Sequence, residues 1–357
     1  QLIRVNDPND GTWTYEYDCG GNILNKKQYA YTTGTLGTVQ QIVSYAYGDA
    51  DWKDKLTRYN GVDIAYDAIG NPIQDGVWTY TWENGRQLRR MACDATIAEF
   101  VYNADGLRVQ KTVNGVTTNY TLHGKNIVHM TKGNAELHFW YDAQNRPAIV
   151  EFNGTKYGYL YNLQGDVIGL IDSANTEVVR YTYDAWGKPL SVTGSLANTI
   201  GYYNPFRYRG YVYDVETGLY YVSSRYYDPK ISRFINADDI EYLGADGRVL
   251  SYNLLAYCMN DPVNRFDVDG NWSLPNWAKI VIGVVAIAVG VGVTAFTGGT
   301  VIPALVAGGE AACAAGAISA GTSAMTTAVC SALSGDSFST VVQKSANAAV
   351  DGFADGF

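Results

Sequence analysis

The sequence predicts a mainly β protein made of stacked β-hairpins, followed by a C-terminal segment of different character. Tyr (29 residues) and Gly (38 residues) are abundant, whereas charged residues make up only 17% of the chain. Aromatic residues favour strands and Gly favours tight turns. Stretches such as VWTYTWE and VVRYTYDAW alternate with period two, as half-buried strands do. A short unit containing Tyr, Asp or Asn, and Gly also recurs along the first half of the chain.

This unit fills the region 1–200. It consists of an aromatic run, Tyr-Asp or Tyr-Asn, a Gly in all clear copies but the one at Tyr141, and then an apolar residue. Six clear copies and a degenerate one start at Tyr17, Tyr66, Tyr102, Tyr141, Tyr161, Tyr183 and Trp82. The Asp or Asn can bond its own backbone two residues on, and the Gly supplies a positive φ. Because one hairpin alone is marginally stable in water, the units must stack side by side. We therefore expect structural rather than catalytic roles for the repeat Asp residues.

The composition excludes several functional classes. The net charge is −9 with both signs interspersed, so the basic stripe of a nucleic-acid-binding protein is absent. Five widely spaced cysteines without a CxxC pair predict neither a disulfide framework nor a zinc site. The three histidines form no HExxH motif, and neither a P-loop nor GxSxG occurs. We therefore predict no cofactor and no metal. The N-terminus starts within the pattern and resembles no signal peptide, which suggests a piece of a longer protein.

The region 201–271 is the most specific part of the chain. It contains NPFRYRGYVYDVETGLYYVSSRYYDPKISRFINADD (Asn204 to Asp239) and NLLAYCMNDPVNRFDVDG (Asn253 to Gly270). With the upstream units, these stretches resemble the YD-repeat or RHS-repeat proteins and their RHS repeat-associated core. The resemblance implies a sheet that spirals into a hollow shell, or cocoon, with the core as a plug at one end. In the polymorphic toxins of this family, the shell encloses a variable C-terminal toxin.

The resemblance also implies a self-cleaving site with paired carboxylates. Asp238 and Asp267 match the family's two catalytic positions, Arg233 could orient them, and the equivalent scissile bond is Asn271–Trp272. When two carboxyl groups share one proton, one can act as base on a water and the other as acid toward the amide. The chain would thus be at most a single-turnover aspartic autoprotease.

Three departures from the family pattern affect this prediction. The terminal motif is DVDGN instead of DPxGL, with Val268 for Pro and Asn271 for Leu. An insertion lies around 243–247, and Asp239 and Asp269 are alternative carboxylates beside the two candidates. The alternative interpretation is that these Asp residues cap turns in the plug.

Beyond the core, the composition changes sharply. Residues 280–309 carry no charge, and small and β-branched apolar residues dominate 272–335, which we expect to be mainly helical. One interpretation is a membrane-active helical hairpin with membrane contact through 280–333; the other is an apolar linker packed inside the shell. Residues 336–357 would be a linker toward a missing C-terminal effector.

The sequence thus favours the encapsulation and delivery shell of a bacterial polymorphic toxin used in interbacterial competition. Such a protein would be secreted or associated with the cell surface or wall. Its expected partners are the C-terminal toxin domain of the same polypeptide, an immunity protein for that toxin and a target membrane, but no nucleic acid. The alternatives are an adhesive or carbohydrate-binding YD-repeat protein and a decayed gene fragment. Encapsulation predicts tyrosines that face the interior, whereas adhesion predicts a contiguous exposed aromatic patch.

Overall fold

A computed structural model describes residues 1–244, 247–267 and 270, and the backbone of 273–275. The predicted helical segment 272–335 and the linker 336–357 lie outside these residues, apart from one short strand. The chain groups into two compact units, 1–140 with 147–273 and 141–146 with 274–357.

The N-terminal strands form one antiparallel sheet in chain order. Its six strands are β1 (Arg4–Asp7), β2 (Gly11–Tyr17), β3 (Ile23–Tyr29), β4 (Val39–Ala46), β5 (Arg58–Tyr59) and β6 (Val62–Asp63).

The next fourteen strands form a second antiparallel sheet, again in chain order. They are β7 (Ala65–Tyr66), β8 (Pro72–Gln74), β9 (Thr79–Glu83), β10 (Gln87–Ala92), β11 (Ile97–Tyr102), β12 (Arg108–Val113), β13 (Val116–His123), β14 (Asn126–Lys132), β15 (Ala135–Tyr141), β16 (Pro147–Phe152), β17 (Thr155–Tyr161), β18 (Val167–Ile171), β19 (Glu177–Tyr183) and β20 (Pro189–Thr193). Each strand pairs with its neighbours in sequence, which confirms the predicted mainly β fold of stacked hairpins.

The repeat turns have the predicted chemistry. At Asp67, Oδ1 accepts hydrogen bonds from the backbone N–H groups of Ile69 (3.0 Å) and Asn71 (2.9 Å), and Gly70 has a φ of +85°. Asn103 makes the same two bonds in its own turn. A further copy, at Asp172, is not recognisable in the sequence because it lacks both the Tyr and the Gly. There Asn175 takes the positive φ.

The repeat tyrosines tie successive hairpins together. The hydroxyl of Tyr102 donates to the carbonyl of Leu88 (2.8 Å), and Tyr183 bonds Val167 in the same way (2.7 Å). In the degenerate copy, the indole Nε1 of Trp82 replaces the hydroxyl and donates to Pro72 (2.7 Å). Each ring is half-buried while its polar tip has a partner, which suits Tyr and Trp equally.

After the second sheet the chain becomes irregular. A short helix α1 (Ile200–Tyr203) precedes four antiparallel strands, β21 (Val212–Asp214), β22 (Leu219–Val222), β23 (Arg225–Asp228) and β24 (Arg233–Phe234). Short 3₁₀ turns span Tyr208–Gly210, Ile240–Tyr242, Val249–Tyr252 and Cys258–Asn260. The last strands are β25 (Arg265–Asp267) and β26 (Ser273–Pro275).

The main core joins this segment to both sheets. Tyr15 from the first sheet and Trp186 after β19 pack against Tyr208, Tyr220 and Tyr227 of the segment. The hydroxyls of Tyr220 and Tyr227 donate to the carbonyls of Gly187 (2.7 Å) and Trp186 (2.6 Å). The segment is therefore packed against the repeats through buried aromatic side chains with satisfied hydroxyls.

A buried charge network makes a second attachment. Asp214 on β21 accepts hydrogen bonds from Arg108 Nη2 (3.0 Å) and Lys111 Nζ (2.9 Å) on β12, and the Arg108 and Asp214 side chains are both 1% exposed. Glu216 contacts Lys111 (2.7 Å) and Lys132 (2.6 Å) of the same sheet. Every buried charge in this network thus has an opposite partner, as burial requires.

Candidate active site

The two carboxylates predicted from sequence lie against one arginine. Arg225 Nη2 is 2.8 Å from Asp238 Oδ2 and 3.5 Å from Asp267 Oδ2. All three residues are buried. A buried carboxylate pair is costly unless a positive charge compensates it, and Arg225 supplies that charge.

Arg225 is itself held on several sides. Its Nη1 donates to the carbonyl of Leu254 (2.9 Å), its Nε donates to the carbonyl of Gly270, and its Cζ lies 3.6 Å from the ring centroid of Phe234. A guanidinium presents its donors in a fixed plane, so these contacts also fix the direction of Nη2 toward the carboxylates.

Backbone contacts position each carboxylate. The N–H of Asp238 donates to Leu254 (3.0 Å), and Arg86 donates to the carbonyls of Ala237 (2.7 Å) and Asp238. At the end of β25, the hydroxyl of Tyr211 donates to the carbonyl of Asp267 (2.6 Å) and accepts from its N–H (3.1 Å). The backbone of both aspartates is therefore held by hydrogen bonds.

The insertion around 243–247 lies, in sequence, between Asp238 and Leu254. The 3₁₀ turn Ile240–Tyr242 precedes it in the chain, and the 3₁₀ turn Val249–Tyr252 follows it. The carbonyl of Leu254, just after the insertion, accepts bonds from both Asp238 N and Arg225 Nη1.

The chain itself passes through the site at Gly270. Its N–H donates to Asp267 Oδ1 (2.7 Å), and its carbonyl accepts from Arg225. Its φ is +87°, and a Cβ there would lie 2.4 Å from the carbonyl oxygen of Val222. Glycine is therefore required. The predicted scissile bond Asn271–Trp272 follows directly in sequence but lies outside the described residues.

The prediction for Arg233 differs from what is found. Arg233 Nη1 donates to the hydroxyl of Tyr47 (2.9 Å), and its Nη2 donates to the carbonyl of Asp54 (2.6 Å). Arg233 thus connects β24 to the N-terminal region. Arg225, and not Arg233, contacts the two carboxylates. Sequence reasoning missed Arg225 because the segment contains several arginines and no spacing rule singles out one of them.

Of the alternative carboxylates, Asp239 is exposed and caps a turn. Its side chain accepts from the N–H of Glu241 (3.1 Å). The other alternative, Asp269, and the substituted Val268 lie outside the described residues.

The site also borders a buried thiol. Burial, together with the nearby charge of Asp267, raises the pKa of Cys258 to about 12. Cys258 is therefore neutral at neutral pH and unreactive, since the thiolate is the reactive form of cysteine.

Within the described ranges, no helix has the length and apolarity needed to cross a bilayer. The segment 280–333, for which membrane contact was predicted, lies outside them.

A family model for the teneurin YD-shell matches residues 1–263. Among curated proteins, the tRNA3(Ser)-specific nuclease WapA of Bacillus spizizenii is 36% identical over 279 residues, covering 76% of this chain and 11% of that protein. The double-stranded DNA deaminase toxin A of Burkholderia cenocepacia is 25% identical over 238 residues, covering 63% and 15% respectively. The chain thus spans only about a tenth of the length of the nuclease relative.

Solved structures agree on the fold. The Photorhabdus luminescens Tc holotoxin pore aligns with a TM-score of 0.53 at 19% identity, covering 72% of this chain and 13% of that one. The crystal structure of TcdB2–TccC3–TEV aligns with a TM-score of 0.54, also at 19% identity and with the same coverage. The family match over most of the chain, together with the repeat turns and the fold, shows that the chain belongs to the teneurin YD-shell family of RHS/YD-repeat proteins.

Proposed function

We propose that this chain is the encapsulation and delivery region of a secreted bacterial polymorphic toxin. Relatives with matching YD-shell sequence are named as a tRNA nuclease and as a DNA deaminase toxin, and the chain covers only a small part of each. A closed shell around a C-terminal toxin would explain why an inactive repeat region forms part of a toxin. The tyrosines of the repeats support containment over adhesion, because their rings are half-buried and their hydroxyls bond neighbouring hairpins.

We further propose that Asp238 and Asp267 cleave the chain near Asn271–Trp272. The observation that carries this proposal is Gly270, which precedes that bond by one residue and hydrogen-bonds both Asp267 and Arg225. A pair of carboxyl groups that holds one proton is, together with Arg225, electrically neutral. Such a group can lie in a buried site at low cost.

The proposed reaction is amide hydrolysis. One carboxylate takes a proton from water while the water oxygen attacks the carbonyl carbon of Asn271. The protonated partner then donates its proton to the nitrogen of Trp272 as the C–N bond breaks, which leaves a new carboxyl group and a new amine. Because the substrate is part of the same chain, its effective concentration is high, and a single turnover suffices.

Intact-mass measurement of the purified full chain tests the cleavage. The unchanged protein should separate into fragments 1–271 and 272–357, and Asp238→Asn and Asp267→Asn should each remain intact. Asn keeps the oxygen that accepts from Gly270, so the fold should survive, which circular dichroism can check. Asp239→Asn is the matched control, because Asp239 is exposed and should not affect cleavage. Equal cleavage in Asp267→Asn would contradict the proposal.

The containment proposal has a separate test. In the complete polypeptide, the region after the shell should resist added protease until the shell is denatured, whereas the same region expressed alone should be digested at once. Equal digestion rates in the native polypeptide and the isolated region would rule out containment. Self-cleavage could still occur in that case, so the two proposals fail independently.

A further inference from the structure

Two of the chain's three histidines face each other on the second sheet. His129 on β14 and His138 on β15 are direct cross-strand partners, and their ring centroids are 4.5 Å apart. Glu136 lies two residues before His138 on the same strand, and its Oε1 is 3.1 Å from His129 Nε2. Paired residues lie on one face of a sheet, and so do residues two apart. All three side chains therefore share a face.

That face points away from the core. The next cross-strand pair, Met130 and Leu137, lies on the opposite face, where these residues are 2% and 0% exposed. His129 and His138 are half-buried, and Glu136 is exposed. The backbone of two paired strands holds the three Cα positions in fixed register, while the side chains can still rotate toward a ligand.

We propose that His129, Glu136 and His138 form a binding site for a divalent transition-metal ion of the Zn²⁺ class. Two imidazoles and a carboxylate are a donor set that suits Zn²⁺ and its neighbours rather than Mg²⁺ or Ca²⁺. One ligand atom from each residue lies within 4.8 Å of the others. With metal–ligand bonds of about 2.0–2.1 Å, tetrahedral ligands are roughly 3.3 Å apart. The His129–Glu136 distance, 3.1 Å, is close to this value, and His138 would reach the ion by a side-chain rotation.

A fourth group supports this arrangement. Thr121 on β13 is the cross-strand partner of His129 on its other side, and its Oγ1 is 3.5 Å from His129 Nδ1. A hydroxyl there can accept the proton of Nδ1, which leaves the lone pair of Nε2 for the metal. Without a metal, that lone pair would face the Glu136 carboxylate, so a bare pair requires a proton on Nε2 instead.

The proposed ion would join β14 to β15 from outside the sheet. It leaves one coordination position to water, as expected for a site with three protein ligands at a surface. The sequence predicts no metal, because His129 and His138 are separated by a turn and form no known motif. Strand register alone brings them together. The simpler interpretation is an ordinary His129–Glu136 hydrogen bond, and the test separates the two.

Isothermal titration of the full chain with Zn²⁺ tests the site. The unchanged protein should bind an ion that His138→Gln binds roughly tenfold or more weakly, since losing a ligand should cost at least what losing a supporting contact does. His123→Gln is the matched control: the third histidine lies at the end of β13, opposite Asn126, outside the cluster. All variants keep the same cysteines, so thiol binding contributes equally to each. Indistinguishable Zn²⁺ affinity in His138→Gln and the unchanged protein would overturn the proposal, as would equal weakening by His123→Gln.

Discussion

The repeat sheet and the irregular core segment use the same carboxylate side chain in opposite ways. In the repeats, Asp67 bonds backbone groups two and four residues further along the chain. In the core segment, Asp214 bonds Arg108 and Lys111, more than a hundred residues away. The first arrangement shapes a turn locally, and the second attaches one region to another. Removing a carboxylate should therefore have very different effects in the two regions.

Burial accounts for the expected size of that difference. The Asp67 turn is half-buried, and water can replace the hydrogen bond at its exposed residue, Ile69, although Asn71 is buried. Asp214 is fully buried with two cations, so its loss leaves positive charge in a site that water cannot reach.

The largest expected effect is that of Asp214→Asn. Because Arg108 and Lys111 would lose the carboxylate between them, we expect the free energy of unfolding to fall by about 3–5 kcal/mol. Urea denaturation followed by tryptophan fluorescence would measure this. The matched control is Asp63→Asn, which breaks a 2.6 Å pair with Arg58 at the surface and should leave stability unchanged. A loss below about 1 kcal/mol for Asp214→Asn would show that the core is not attached by charge.

A second comparison concerns two turn glycines of the second sheet, one facing the core and one facing solvent. Gly187 and Gly115 have φ values of +86° and +83°, but a Cβ at Gly187 would lie 2.4 Å from the Tyr208 ring, whereas Gly115 faces open space. Gly115→Ala should cost about 1–2 kcal/mol for the left-handed backbone alone. Gly187→Ala should cost about 1–3 kcal/mol more, because the aromatic core must move. Equal thermal unfolding shifts in the two variants would contradict tight packing at Trp186 and Tyr208.

The contrast between local contacts in the repeats and long-range contacts in the core segment also explains which features the sequence could predict. The hairpins and their Asp and Asn turns were predictable because each depends on residues that lie close together in the sequence. The pair Asp238 and Asp267 was found only through resemblance to a family. Arg225, in contrast, was missed and Arg233 was chosen, because long-range partners leave no trace in spacing. The histidine pair at His129 and His138 shows the same limit, since strand register decides which residues meet.

The pH dependence of stability should set two kinds of buried carboxylate against each other, those without a cation and those held by one. Burial raises the pKa of Asp228 to about 6, with the charge of Asp75 adding to the effect, and burial raises that of Asp184 similarly. Burial opposes but does not prevent a fall in the pKa of Glu216 to about 2, caused by Lys111 and then Lys132. The folded chain thus binds extra protons at Asp184 and Asp228 between about pH 4 and 6, which favours folding as the pH falls.

We therefore expect the free energy of unfolding to rise by about 1–2 kcal/mol from pH 7 to pH 5, after allowance for residual exposure of these groups. Below about pH 4 it should fall, as the stability contributed by the charged Glu216 is lost. Denaturation midpoints measured across this range would show a maximum near pH 5. Asp228→Asn keeps the bond from Lys230 N and should flatten the rise between pH 7 and 5. A profile unchanged by this substitution would assign the rise to other groups.

The smallest expected effect lies in a single repeat turn, and the chain contains its own control. Asp67→Ala removes the oxygens that accept from Ile69 N, Asn71 N and Asn71 Nδ2. It should cost about 1–2 kcal/mol, because the freed N–H of Ile69 can reach water, whereas Asn71 is 1% exposed. Asp67→Asn should cost less, because it keeps an oxygen for the two backbone bonds, as Asn103 does in its own turn, and loses only the bond from Asn71 Nδ2. Equal losses for Ala and Asn, measured by urea denaturation, would mean that the turn depends on the charge of Asp67. In that case the local and long-range carboxylates would differ less than their geometry indicates.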